Sequence, residues 1–237
     1  AGLLEFYNMC GMKNINAAKY WSVIITCLLL LDIYFISNSK DFMSYEGLTP
    51  AIITLFITGV MLLTLLKRNI ESSLIDVSVT LFGLFYVVWT SLHLILLREL
   101  KPFGFELTMS VIIMTWCADT GAYFIGGRFG KGRLHRVSPS KTKIGAAAAV
   151  IVSVICAFVV KYVYKLYFIG NIETFILGFG VGVMAITGDL SESLIKRCLE
   201  KKDSGVFMPG HGGVLDRIDS LMFSVPFTYY FIKWFMR

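Results

Sequence analysis

Long apolar runs constrain the fold of this chain more than any other feature. A helix of about 20 predominantly apolar residues is long enough to cross a bilayer. Seven stretches reach roughly that length: 19–36, 49–66, 74–97, 106–127, 144–168, 172–195 and 214–235. Residues 1–10 resemble the end of another helix. We therefore predict an all-α fold, a polytopic transmembrane helix bundle of about seven spans plus an N-terminal partial helix.

The composition agrees with a membrane protein. Charged residues make up 16% of the 237 residues and hydrophobic residues 56%, whereas a soluble domain carries about 25% charged residues. The five cysteines lie far apart, mostly among apolar neighbours, and none forms a CxxC pair. This spacing favours packing roles over a zinc site or a disulfide framework.

The distribution of positive charge predicts the orientation in the membrane. With the spans above, connections 11–18, 67–73, 128–143 and 196–213 lie on one side, and that side holds 15 of the 22 lysines and arginines. The positive-inside rule places it in the cytoplasm. Such a surface attracts anionic lipid or nucleotide. We predict no nucleic-acid partner, because no basic strand with interleaved aromatic residues is present.

Polar residues divide the chain into two regions. In the N-terminal membrane helices, 1–105, we expect Asp32 to make an ordinary polar contact and His93 to form a helix–helix hydrogen bond. The region 106–237 carries polar residues within its spans and two long cytoplasmic loops, 128–143 and 196–213. We interpret it as the catalytic membrane region.

The stretch 115–133 contains the first candidate site residues. Asp119 lies inside an apolar run, where an ionisable residue is costly and usually functional. Tyr123 follows at i+4 on the same helix face. The glycines around Arg128 permit close approach to a phosphate, although a flexible loop explains them as well. The stretch is not a Walker A loop, because the pattern GxxxxGK[ST] is absent.

The segment 136–145 continues that loop. Ser138, Lys141 and Thr142 offer hydroxyl and ammonium donors that suit phosphate oxygens. A solvated basic loop accounts for these residues equally well.

Helical spacing in the stretch 186–220 is more informative. Asp189, Glu192, Ser193 and Lys196 fall at i, i+3, i+4 and i+7, so they form one stripe of a helix. A polar stripe near the end of a membrane helix must face protein or a wet cavity. Basic residues follow it, including Arg197 and Lys202.

Two aspartates begin the last predicted helix. Asp216 and Asp219 are spaced i, i+3, which places their Cβ atoms about 5–6 Å apart on one face. Such a pair suits a divalent cation, since magnesium takes one or two carboxylates plus substrate phosphates. Capping of the helix N-terminus is the alternative. Arg217 is a candidate to hold a phosphate or a structural carboxylate. His211 either assists phosphate binding or shapes the turn before Gly212 and Gly213.

Together these residues indicate what the site binds and which type of reaction it supports. Acidic residues collect a metal, basic residues collect phosphates, and the site opens to the cytoplasm at lipid depth. A metal clamp on phosphoryl oxygens stabilises the charge that develops during displacement. The pattern therefore favours phosphoryl or nucleotidyl transfer involving a membrane-embedded substrate.

The stretch 193–219, SLIKRCLEKKDSGVFMPGHGGVLDRID, resembles the signature of the phosphatidate cytidylyltransferase (CDP-diacylglycerol synthase) family. DTGAYFIGGRFGK, SPSKTKIG and GDLSES resemble further family segments. Met208 and Ile144 depart from it, standing where the family more often has Leu, Ile or Phe and Glu, respectively. The resemblance covers residues 110–225 well and the first hundred only as hydrophobic helices. From the family pattern we expect the first membrane helix or more to be missing from this sequence.

The resemblance implies a reaction of CTP with phosphatidate that gives CDP-diacylglycerol and pyrophosphate. It implies a magnesium requirement, with room for a second cation, and a homodimer in a bacterial inner membrane. The residues to which we assign catalytic roles are Asp119, Asp189, Lys196, Arg197, His211, Asp216, Arg217 and Asp219. Those assigned to substrate binding are Tyr123, Arg128, Ser138, Lys141, Thr142, Ser193, Lys202, Gly212 and Gly213. The predicted metal ligands are Asp189, Asp216 and Asp219.

Three other functions remain open from the residues alone. The first is a CTP-dependent enzyme that acts on another lipid phosphate. The second is a cation-coupled transporter, which predicts acids at the membrane midplane and broken helices in paired halves. The third is a lipid-binding membrane protein without catalytic activity. The dense combination of acids with the His-Gly-Gly sequence argues against the last two.

Overall fold

The computed structural model describes residues 1–38, 47–66, 70–205 and 212–235. Over these residues the chain is helical apart from one short hairpin, so the predicted all-α class is confirmed in outline. The helices are α1 (Gly2–Gly11), α2 (Lys19–Asn38), α3 (Thr49–Leu65), α4 (Ser73–Gly83), α5 (Thr90–Arg98), α6 (Gly104–Phe129), α7 (Lys143–Val163), α8 (Asn171–Cys198), α9 (Leu215–Ile218) and α10 (Leu221–Phe235). A π-helical segment, Leu84–Trp89, joins α4 to α5. The hairpin strands are β1 (Arg133–His135) and β2 (Ser138–Thr142).

The predicted number of seven spans is confirmed only in part over the described residues. Five helices are long and apolar enough to cross a membrane: Lys19–Ser37, Ser73–Arg98, Gly104–Phe129, Lys143–Val163 and Asn171–Cys198. The predicted span 49–66 is the shorter α3, of 17 residues.

The predicted span 214–235 is interrupted, which leaves α10 with 15 residues. The Oδ1 atom of Asp219 accepts a hydrogen bond from the backbone N–H of Ser220 at 2.6 Å. A donor that a continuous helix uses within its own backbone is therefore bonded to a side chain, and the helix breaks between α9 and α10.

Contacts group the chain into two units, each described here by itself. The first comprises residues 1–92 and 204–215, and the second comprises 93–203 and 216–237. The predicted division into 1–105 and 106–237 concerns function and stays a prediction.

Buried polar contacts hold the helices of the first unit. The hydroxyl of Tyr7 donates to the carbonyl of Thr80 at 2.7 Å and lies 3.1 Å from Ser22 Oγ. Asp32 accepts hydrogen bonds from the backbone N–H of Leu48 at 2.8 Å and from Thr49 Oγ1 at 2.6 Å. The ordinary polar contact predicted for Asp32 is confirmed, and it stabilises the start of α3.

Close helix packing builds the second unit. An alanine Cβ at Gly178 would lie 2.7 Å from Val154 Cα, and one at Gly182 would lie 2.8 Å from Val150 Cα. These two glycines are spaced as in the small-xxx-small pattern that lets membrane helices approach closely. The backbones of α7 and α8 are therefore in direct contact along this line.

The predicted helix–helix hydrogen bond of His93 is confirmed. Its Nε2 atom lies 3.2 Å from the hydroxyl of Tyr230 on α10.

All five cysteines are free thiols, as expected. The predicted packing role fits Cys10 and Cys156, which are buried. It does not fit Cys27 and Cys198, whose side chains are exposed.

Candidate functional site

A cavity of about 680 Å³ opens in the second unit. Its lining includes four carboxylates drawn from three parts of the chain, namely Asp119, Asp189, Asp216 and Asp219. The sequence reasoning selected each of them separately. The structure thus brings all four predicted aspartates to one cavity.

The polar stripe predicted on α8 supplies one wall of this site. The Oγ atom of Ser193 lies 3.5 Å from Asp189 Oδ1. One turn further on, Lys196 Nζ lies 2.8 Å from Glu192 Oε2 and 2.6 Å from Asp216 Oδ1. The ammonium of Lys196 therefore connects the stripe to α9. Its side chain is 14% exposed and that of Glu192 only 1%, so this is a largely buried charge cluster.

The hairpin β1–β2 supplies a second cation to the site. Lys141 of β2 forms an ion pair with Asp189 of α8. The next residue, Thr142, accepts a hydrogen bond from the backbone N–H of Gly145 at 3.1 Å and so caps the start of α7. The segment predicted as a loop is thus an antiparallel hairpin that ends in a helix cap. This fixes the backbone position from which Lys141 reaches the cavity.

Ser220 links the two remaining carboxylates. Its hydroxyl lies 3.4 Å from Asp119 Oδ1 on α6, and its backbone N–H donates to Asp219 at 2.6 Å. A Cβ on Gly188 would clash with the carbonyl of Asp219, so α8 approaches this turn closely. The expectation that Asp216 and Asp219 share one helix face is wrong, because α9 ends at Ile218 and Asp219 lies in a turn.

The surroundings of Asp219 favour a bound cation. Asp219 lies outside the five candidate spans, and burial raises the pKa of its carboxyl to about 6. The nearby negative charges of Asp189 and Asp119 act in the same direction. A cation here would offset that repulsion and favour the ionised carboxylate.

The donor set fits a magnesium ion that is shared with a substrate. Among the described residues, no three carboxylate, histidine or thiol groups lie together closely enough to hold a metal by themselves. Magnesium commonly needs only one or two carboxylates, because water and substrate phosphates complete its octahedron. Hard carboxylate oxygens around a roomy cavity meet that requirement.

Comparison with known proteins identifies the family. The profile of the cytidylyltransferase family matches residues 1–235. The chain belongs to this family.

Relatives extend that match along nearly the whole chain. The phosphatidate cytidylyltransferase of Synechocystis sp. is 30% identical over 98% of this chain and 84% of its own length. That of Bacillus subtilis is 30% identical over 99% of this chain and 86% of its own. That of Haemophilus influenzae is 44% identical, over 54% of this chain and 46% of its own length. The resemblance expected from the sequence motifs is confirmed.

Several residues predicted for this cytidylyltransferase site lie around the cavity, and others do not. Tyr123, Lys141 and Thr142 line it beside the four aspartates. The described residues assigned to the site that do not line it are Arg128, Ser138, Ser193, Lys196, Arg197, Lys202, Gly212, Gly213 and Arg217. Lys196 nevertheless bonds directly to Asp216.

Some of the residues away from the lining have identified contacts. Arg128 lies over the ring of Phe129 at 5.8 Å. Arg197 donates to the carbonyls of Val137 and Lys201, each at 3.4 Å. Arg197 thereby joins α8 to the turn of the hairpin. Their assignment to phosphate binding stays a prediction.

The His-Gly-Gly segment is only partly described. His211 lies outside the described residues. Gly212 and Gly213 are described and belong to the first unit. Their predicted role in substrate binding stays a prediction.

Three residues that make polar contacts in the structure are absent from the site predicted from the sequence. Glu192 belongs to the predicted stripe but not to the predicted site residues. Ser220 had no motif to mark it. Glu5 of α1 accepts three hydrogen bonds from the segment 204–215, about two hundred positions away, and no local pattern announces such a contact.

Proposed function

We propose that this chain transfers the cytidylyl group of CTP to phosphatidate, giving CDP-diacylglycerol and pyrophosphate. Family membership and the nearly full-length similarity to phosphatidate cytidylyltransferases support this reaction. The structural observation that carries it is the combination in one site of four aspartates with the ammonium groups of Lys141 and Lys196. Carboxylates alone would fit a site that binds only a metal. Carboxylates beside lysine ammonium groups fit a site that binds a metal together with the phosphates of a nucleoside triphosphate.

The reaction is a displacement at phosphorus. A phosphate oxygen of phosphatidate forms a bond to the α-phosphorus of CTP, and the bond from that phosphorus to the bridging oxygen breaks. Pyrophosphate leaves with those electrons. A phosphate monoester is already largely anionic at neutral pH, since its second pKa is about 6, so no strong general base is required.

The lysines act on the phosphates in this scheme. Lys141 reaches the cavity from the hairpin, and Lys196 forms an ion pair with Asp216. Positive charge fixed before the reaction stabilises the charge that develops on the leaving pyrophosphate. Asp189 and Asp216 hold these ammonium groups in place in the structure.

Asp189, Asp216 and Asp219 are the carboxylates that would hold magnesium, and Asp119 is a further candidate or a substrate-positioning group. Bound magnesium would neutralise phosphate charge and align the triphosphate. The cavity leaves room for a second cation.

The substrates fit the proposed location. The long apolar helices of the described residues make the chain an integral membrane protein, and its relatives include bacterial enzymes. We propose a bacterial inner membrane, a cavity that faces the cytoplasm where CTP is available, and a homodimer.

The test is lipid labelling by the purified chain. The protein in detergent receives labelled CTP, magnesium and phosphatidate, and the labelled lipid is identified by mass. We expect CDP-diacylglycerol from the wild type and almost none from Asp216→Asn at saturating magnesium. Glu71→Gln, which changes an exposed acid before α4, is the control and should retain activity.

Three results would contradict the proposal. Unchanged turnover by Asp216→Asn would remove that residue from the mechanism. Labelled product with polyprenyl phosphate but none with phosphatidate would assign another lipid phosphate as the acceptor. Absence of product with every acceptor, combined with cation flux in vesicles, would favour a transporter.

A further inference from the structure

The carboxylate of Glu5 gathers three donors from one distant segment. Its Oε1 atom accepts from the backbone N–H of Val214 at 2.9 Å, and Oε2 accepts from that of Leu215 at 3.0 Å. Oε2 also lies 3.3 Å from Ser204 Oγ, a side chain that is buried. All of these residues belong to the first unit. One side chain of α1 therefore holds both ends of the segment 204–215.

Glycines in that segment allow the approach. A Cβ on Gly213 would lie 2.5 Å from Glu5 Oε2, and one on Gly205 would lie 3.1 Å from Glu5 Oε1. Gly212 has φ +80°, a region that residues with side chains rarely adopt. The Gly-Gly pair is therefore explained by chain geometry around Glu5, in addition to any role with phosphate.

The two backbone donors lie at the start of a very short helix. The first N–H groups of a helix lack acceptors within the helix, and α9 has only four residues. So short a helix gains little from its own hydrogen bonds. An external acceptor at its first amides therefore decides where the helix begins and how it is oriented. Asp216 is the second residue of α9, directly after Leu215.

We propose that Glu5 is a positioning residue for the transfer reaction, because it fixes the start of α9 and hence the carboxylate of Asp216. This inference rests on the proposed function. Glu5 touches neither substrate nor metal in this scheme. It acts through the backbone of residues 214 and 215, so the first helix of the chain contributes to catalysis without lining the cavity.

The conservative variant that tests this is Glu5→Gln. Glutamine keeps one oxygen but replaces the other with an NH₂ group, which cannot accept from the N–H of Leu215 or the hydroxyl of Ser204. We expect kcat to fall at least about tenfold, on the scale of a misplaced catalytic group, while KM for phosphatidate changes little. Glu5→Asp keeps both acceptors on a shorter arm and should recover part of kcat. The control Glu71→Gln should leave kcat unchanged.

Hydrogen–deuterium exchange provides a readout that does not depend on activity. In the wild type, the amides of Val214 and Leu215 should be protected. In Glu5→Gln they should exchange roughly ten times faster or more, since opening costs less free energy without the charged acceptor. Peptides from α8 should exchange alike in both proteins. If Glu5→Gln is too unstable to purify, Ser204→Ala removes one donor, and we expect a smaller change in the same direction.

Each outcome decides one point. Unchanged exchange at residues 214 and 215 in Glu5→Gln overturns the anchoring, whatever the lipid assay shows. Faster exchange with unchanged kcat overturns the positioning role. If the wild type makes no CDP-diacylglycerol, the proposed reaction and the positioning role that rests on it are overturned. If the amides of residues 214 and 215 nevertheless lose protection in Glu5→Gln, the anchoring of α9 stands.

Discussion

Lys196 and Asp216 form a direct link between α8 and α9, with 2.6 Å between Nζ and Oδ1. Glu192 shares the same ammonium at 2.8 Å. Both carboxylates and the lysine are largely buried. Each charge in the cluster is therefore compensated by a neighbouring charge rather than by water. Removal of one partner leaves an uncompensated buried charge, which is strongly destabilising.

Lys196→Met tests this cluster. Methionine fills similar space without the charge, so two buried acids lose their cation. We expect the free energy of unfolding to fall by about 3–5 kcal/mol, and turnover to fall by at least about two orders of magnitude because positive charge at the phosphates is lost. Thermal unfolding in detergent and CDP-diacylglycerol formation measure the two effects. Lys101→Met, at an exposed lysine, should change neither, and equal losses in both variants would contradict the assignment.

Lys141→Gln tests the cation of the hairpin. Lys141 lines the cavity, whereas Lys143, two residues on, is exposed and does not. We expect Lys141→Gln to raise KM for CTP roughly tenfold or more, the size of one lost charge-assisted contact to phosphate. Steady-state kinetics with varied CTP provide the measurement. Lys143→Gln should leave KM close to the wild-type value, and the reverse order would place the nucleotide elsewhere.

Two glycine-to-alanine changes should have opposite effects on stability. Gly182→Ala pushes a methyl group against Val150 Cα of α7, and overpacking of this kind costs about 1–3 kcal/mol. A Cβ added at Gly127 of α6 would meet no other atom within 4 Å, so Gly127→Ala should gain up to ~1 kcal/mol of helix propensity. Thermal unfolding of both variants checks the signs. A stabilised Gly182→Ala would contradict the close packing of α7 on α8.

Magnesium removal should abolish turnover, and Asp219→Asn should weaken the response to added metal. Asparagine keeps the shape of the side chain but has one neutral oxygen, so a cation loses a charged ligand. We expect the magnesium concentration for half-maximal activity to rise at least about tenfold. Titration of CDP-diacylglycerol formation with magnesium after chelation measures it. The same half-maximal concentration in Asp219→Asn and wild type would exclude Asp219 as a ligand.

Local periodicity predicted the parts of the site that lie within one helix. Asp189, Glu192 and Lys196 were placed on one stripe by their spacing alone, and the contacts of Lys196 and Ser193 follow that stripe. The single polar residues Asp32 and His93 were also interpreted correctly, because an isolated polar group in an apolar helix must find a partner.

The features that sequence reasoning missed depend on contacts between distant residues. The stretch 214–235 was predicted as one helix, and nothing in its sequence indicates that Asp219 bonds to Ser220 and interrupts that helix. The hairpin 133–142 has the proline and basic residues of an ordinary loop, and its pairing became visible only in the structure. The bond from Glu5 to Leu215 spans 210 positions of the chain.

That last bond has a consequence for the order in which the protein is made. The first unit is discontinuous, since it consists of residues 1–92 and 204–215. A ribosome adds about 5–20 residues per second, so Glu5 is synthesised roughly 10–40 seconds before the amides it binds. The carboxylate of Glu5 therefore lacks these three donors until the segment 204–215 has been synthesised. The early helices are therefore synthesised before the unit can be completed, and it closes only after residue 215 has been added.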